Sequence, residues 1–153
     1  MPGHWEEDLV FGKNMSPVAT LVERKTRFLM LVSLPGGNHE ADAVAEALAA
    51  AITRLPAQMA RSLTWDLGHE MAQHQRFTTT TGVQVYFCDP KSPWQRGSNE
   101  NTNGLLRQYL PRRLDFRTLT QADFDAIAQE LNERPRQTLE FKTPSQALAE
   151  ALR

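Results

Sequence analysis

The chain has 153 residues, 41% of them apolar, with 17 Lys and Arg against 18 Asp and Glu and a single cysteine. That length fits one domain around one core, and the composition excludes a disordered or collagen-like chain. A lone cysteine excludes a disulfide framework and suits a reducing cytoplasm. No apolar run nears the roughly 20 residues that span a bilayer and no export leader opens the chain, so a cytoplasmic protein without a membrane partner is expected.

Three strands come first, over His4 to Phe11, Pro17 to Val22 and Arg27 to Leu34, separated by turn-like breaks. The third is apolar without alternation, as in a strand covered on both faces. Pro35-Gly36-Gly37-Asn38 ends it, with Asn38 as the expected helix cap. Val44, Leu48, Ile52 and Leu55 then form one helical stripe. Ser62 to Trp65 and Val83 to Phe87 alternate as strands, with a weaker helix over 69–79 between them. A loop with two prolines leads to a helix over 98–110. Thr120 with Asp123 resembles a capping box, and Thr143-Pro144 opens a last helix. Hairpins followed by strand–helix alternation predict an α/β fold: a mixed five-stranded sheet, three antiparallel strands and then parallel ones, with helices on both faces.

The net charge is −1, but residues 91–117 hold Lys91, Arg96, Arg107, Arg112, Arg113 and Arg117 against Glu100 and Asp115. Such a basic patch beside an acidic centre fits phosphate binding near cations, though charge alone favours a solvated arginine-rich surface. Lys91, Arg96 and Arg107 are the candidate phosphate contacts, with Asn101 and Asn103 behind them.

Three carboxylates stand out by position. Asp8 lies within the first strand, where aspartate is uncommon. Asp66 follows the fourth strand, at the end from which open sheets present ligand groups. Glu100 opens the helix after the loop, on a face shared with Asn103, Gly104 and Arg107, opposite Thr102, Leu105, Leu106 and Tyr109. Gathered together, such acids repel unless a cation intervenes. Magnesium or manganese suits hard oxygen ligands, and a pair of ions suits phosphodiester displacement. Position alone fits as well a strand-edge charge, a turn residue and a helix-start acid. His69-Glu70-Met71-Ala72-Gln73-His74 mimics a zinc-protease motif but spaces its histidines five apart, off a shared helix face.

Long blocks resemble bacterial insertion-sequence transposases of the IS30 type: Gly3-His4-Trp5-Glu6-Glu7-Asp8-Leu9, Leu21-Val22-Glu23-Arg24-Lys25-Thr26-Arg27, Thr64-Trp65-Asp66-Leu67-Gly68-His69-Glu70 and Asp89-Pro90-Lys91-Ser92-Pro93-Trp94-Gln95-Arg96-Gly97-Ser98-Asn99-Glu100-Asn101. Asn132-Glu133-Arg134-Pro135-Arg136 and Phe141-Lys142-Thr143-Pro144 resemble the family's closing segment. The resemblance implies a ribonuclease-H-like fold of the retroviral-integrase kind, with Asp8, Asp66 and Glu100 as a DDE triad holding two Mg2+ or Mn2+ ions. It implies cleavage at transposon ends, strand transfer of the freed 3′-hydroxyl into target DNA, and a homodimer or higher multimer. Residues 1–153 then form one catalytic core without the amino-terminal DNA-binding region, and such a core is not expected to choose element ends. Glu7 stands where the family usually has glycine, directly beside Asp8, where a bulky acid would either crowd the strand or perturb the charge at the metal site. A nuclease that cuts without joining, and an inactive DNA-binding or oligomerisation module, are the alternatives.

Overall fold

The structure is a computed structural model that describes residues 2–65, 77–78, 81–87 and 97–153, with backbone alone at 41, 65, 87 and 97–101. Its strands are β1 (His4–Phe11), β2 (Pro17–Glu23), β3 (Leu29–Ser33), β4 (Ser62–Trp65) and β5 (Gln84–Phe87). Its helices are α1 (Ala41–Thr53), α2 (Gly97–Leu106), α3 (Gln121–Asn132) and α4 (Pro144–Ala151). The helix expected over 69–79 lies mostly outside the described residues, as do Trp94 and Cys88. No helix among the described residues is long and apolar enough to cross a membrane.

The sheet order is β3-β2-β1-β4-β5, which puts β1 at its centre. β1 runs antiparallel to β2 and parallel to β4, and β4 runs parallel to β5. This is the mixed sheet that hairpins followed by crossovers require.

Period-two alternation divides the core. Trp5, Ala19, Leu21, Val32 and Leu63 face α1, where Val44, Leu48 and Ile52 meet them. Val10, Val18, Val22, Leu29 and Leu31 face the other way, onto Leu106, Phe124, Ala128 and Leu131. The indole of Trp5 is fully buried and donates to the Met59 carbonyl at 2.7 Å, so its one polar atom is satisfied.

Local signals set most boundaries. α3 starts at Thr120, whose side chain takes the Asp123 amide while Asp123 returns a bond, and Thr143 does the same with Gln146 at α4. Three expectations shift. Arg27 adopts φ 64, so the third strand starts at Leu29. Glu40, not Asn38, precedes α1, because Asn38 accepts the Glu40 amide in a local turn of its own. α2 stops at Leu106 where 110 was expected: Gln108 and Tyr109 donate three residues back, tightening the end before Pro111.

β1 is tied down at its far end by Gly12. A Cβ there would collide with the Leu114 carbonyl and sit 2.6 Å from the Phe116 ring. Lys13 donates to that carbonyl at 2.9 Å, so backing away breaks a bond. Gly12→Ala is expected to cost about 1–3 kcal/mol in urea unfolding.

Candidate active site

Asp8 sits mid-strand on β1, on the α2 side of the sheet and half-buried. Its Oδ1 accepts the Leu9 amide at 2.9 Å, and its Oδ2 accepts Nδ2 of Asn103 at 3.0 Å. Both carboxylate oxygens are therefore oriented, one by the strand's own backbone and one by a helix 95 residues away. Charge-assisted bonds of this kind fix a rotamer as well as a charge.

Asn103 belongs to α2. Thr102 and Leu106 of that helix are fully buried against the sheet, which seats it over β1 and β2. Glu100 lies one turn before Asn103 in the same helix, with its backbone described and its side chain outside the description, as for Asn101. Asn103, read from sequence as a phosphate contact, turns its amide inward onto Asp8; only the shared-face spacing with Glu100 hinted at this.

Arg107 completes the face. Its Nη1 donates to the Phe11 carbonyl at 3.0 Å and the Leu110 carbonyl at 3.3 Å, joining the ends of β1 and α2. Burial, then the charge of Arg112, push its pKa below the usual guanidinium value. That cation is held in place beside the acid-bearing strand rather than free on a long stem.

Glu7 does not crowd Asp8. Alternation turns it to the opposite face, buried and across from Leu21 on β2. Its carboxyl therefore belongs to the α1 side of the sheet. His4, the strand-end histidine, contacts the Ser62 hydroxyl at 2.6 Å.

Asp66, Lys91 and Arg96 lie outside the described residues. Among the described residues, no group of three or more His, Cys, Asp or Glu side chains gathers as a metal site.

Gly104 occupies the exposed side of α2, and a Cβ there meets nothing within 4 Å. No internal contact demands glycine at this place. Gly104→Ala should raise stability by about 0.5–1 kcal/mol through helix propensity, read as a higher melting temperature.

Comparison with known proteins agrees with this frame. The family described as integrase core domain matches residues 1–93. Transposase InsI of insertion sequence element IS30A from Escherichia coli K12 is 52% identical over 95% of this chain and 38% of its own length. The transposase of IS1086 from Cupriavidus metallidurans is 51% identical over 99% of the chain and 44% of its own. The chain thus spans about two fifths of these relatives. The catalytic core domain of BIV integrase superposes with a TM-score of 0.74 at 18% identity, covering 99% of this chain and 96% of that one. The fold is therefore the ribonuclease-H-like one of retroviral integrase cores, as the resemblance implied. By its matched family and its half-identity to IS30 transposases, this chain belongs to the integrase core domain family.

Proposed function

We propose that the chain is the catalytic core of a transposase that cuts DNA at element ends and joins the freed 3′-hydroxyl to target DNA, with Asp8, Asp66 and Glu100 as its catalytic carboxylates. One observation carries this reading. The central strand bears a half-buried carboxylate whose outer oxygen is held by Asn103, one turn from Glu100 on the same helix. The pairing of β1 with β4 reaches Glu6 opposite Thr64, and Asp8 and Asp66 each come two residues later in their segments. Carried two residues further, that parallel register would bring Asp66 level with Asp8, which supports it as the partner.

Asp8 fits a divalent cation: it offers hard carboxylate oxygens, already oriented. Asp8, Asp66 and Glu100 would hold Mg2+ or Mn2+. Two such ions, when bound, activate an attacking oxygen and stabilise the leaving one. The chain's own groups do the rest. The Leu9 amide and Asn103 hold the Asp8 carboxylate in one pose, so little is reorganised on binding. Arg107, with Lys91, Arg96 and Asn101, is the candidate surface for the phosphates of transposon-end and target DNA. Handling two ends at once favours a dimer or larger assembly.

The test incubates the chain with pre-cut element ends, target duplex and Mn2+. Joined products are expected. Cleavage without joining marks a nuclease, and no reaction marks a binding module; either result overturns the proposal.

A further inference from the structure

The β2–β3 turn and the segment after α3 come together through arginines that the carboxylate site does not use. Arg27 leaves the turn with φ 64 and is half-buried. Arg136 is only 7% exposed and anchors its loop: its amide donates to the Lys142 carbonyl, and its carbonyl accepts from Leu139 and Phe141. One guanidinium nitrogen, Nη2, donates to the Leu131 carbonyl at 3.3 Å. Nε and Nη1 of Arg136 and Nη1 of Arg27 are buried with no hydrogen-bond partner among the described residues.

Buried cationic donors are normally paired, because stripping them of water is costly. Here the neighbours add like charge. Burial, then the charges of Arg134 and Arg27, push the Arg136 pKa below its usual value. Glu23, four residues before Arg27, is committed elsewhere: its carboxylate accepts the Lys25 and Thr26 amides and the Thr26 hydroxyl. Arg134 is held by the Gln108 side chain at 3.1 Å, which fixes the third cation at the end of α2. A cleft of about 370 Å³ runs along the same two segments, lined by Lys25 and Thr26 of the turn, by Leu139, Glu140 and Lys142 of the Arg136 loop and by Glu150, which pairs with Lys142; the arginines themselves lie behind its lining.

We propose that Arg27, Arg134 and Arg136 form a second, anion-binding site that takes a phosphate group. Three buried donor nitrogens on two guanidiniums suit an anion with several oxygens on a tetrahedral centre, and three positive charges suit one bearing more than a single negative charge. The site stands without the catalytic reading, since none of its residues touches Asp8. The phosphate has two sources, a DNA backbone or free phosphate in solution, and the experiment separates them.

Thermal unfolding is measured in sodium chloride and in sodium phosphate at matched ionic strength, for the chain, for Arg27→Gln and for Arg54→Gln, an exposed arginine at the end of α1. Phosphate several-fold above its Kd is expected to raise the melting temperature of the chain and of Arg54→Gln by about 2–4 °C. Arg27→Gln should lose most of that rise. In parallel, duplex DNA binding is followed against salt. A slope of log K against log salt that falls by about 0.9 in Arg27→Gln alone assigns the site to a backbone phosphate. A phosphate-specific rise with an unchanged DNA slope assigns it to free phosphate. No phosphate-specific rise, or an equal rise in all three proteins, overturns the proposal. Should Arg27→Gln not fold, Arg27→Lys keeps the charge, removes the buried Nη1 donor and carries the same comparison.

Discussion

Asp8→Asn is expected to fold normally and to take strand joining below detection, a loss of more than about 10³-fold. The partners of Asp8 separate the two effects. In the variant Oδ1 still accepts the Leu9 amide. The bond to Asn103 is the one at risk, because two amide NH2 groups would face each other. Asn103 has a way out: its Oδ1 is buried with no partner among the described residues, so turning its amide over meets the new Nδ2–H. A neutral bond replaces a charge-assisted one, at about 1 kcal/mol, or about 2–4 °C in melting temperature for a chain this size. The reaction has no such substitute, since a neutral amide is a poor ligand for a hard divalent cation. Melting curves with and without Mn2+ provide the second readout. The parent chain should be stabilised by the metal in proportion to RT ln(1 + [Mn2+]/Kd), and Asp8→Asn should lose that response. A fall of more than about 10 °C without metal would assign Asp8 a structural role instead. Retained joining would remove Asp8 from the chemistry.

That contrast shows which parts of the molecule were readable from its letters. Strands, helices and caps depend on neighbours within a few residues: the alternation of β1 and β2 and the boxes at Thr120 and Thr143 are local facts, and the sheet follows from their order. The expectations that moved were also local but finer, such as the left-handed backbone of Arg27. Side-chain partnerships across the fold were not readable. Asn103 and Asp8 are 95 residues apart, and nothing in either neighbourhood names the other. Arg107 read as a phosphate contact because it is a cation on the right face, but one of its nitrogens is bonded to Phe11 and Leu110 carbonyls. The sequence signal told where charge lies along an element; only packing tells what it touches. Asn132 belongs to the same class. It stood in a block recognised by resemblance, with no chemistry attached to it.

Asn132→Ala is expected to cost about 2–4 kcal/mol, the largest stability loss among these substitutions. β3 is an edge strand, paired with β2 on one side only. On its other side Asn132 acts as a substitute for the missing strand: Oδ1 accepts the Leu29 amide at 2.8 Å and Nδ2 donates to the Leu29 carbonyl at 2.9 Å. Gln121, at the start of the same helix, does likewise, accepting from the Ser33 amide and donating to the Leu31 carbonyl, both at 2.7 Å. Helix α3 thereby closes an edge that would otherwise template pairing with another chain. The two amides differ in setting. Asn132 is buried at 4% exposure, so alanine strips both Leu29 backbone groups of the partner that shields them. Gln121 is half-exposed, so Gln121→Ala should cost only about 1 kcal/mol. Asn132→Asp sharpens the test. An ionised carboxylate still accepts the Leu29 amide but turns its second oxygen on the Leu29 carbonyl, whereas a protonated one donates to it. The folded-state pKa of that variant must then lie above the unfolded value of about 3.9. Its stability should be lowest near neutrality and recover as pH falls through the folded pKa, opposite to the trend of a salt-bridged aspartate. Urea unfolding across pH 4–8 reads this directly. An Asn132→Ala chain within about 0.5 kcal/mol of the parent, or an Asn132→Asp chain indifferent to pH, would mean that solvent reaches the β3 edge and that the helix does not close it.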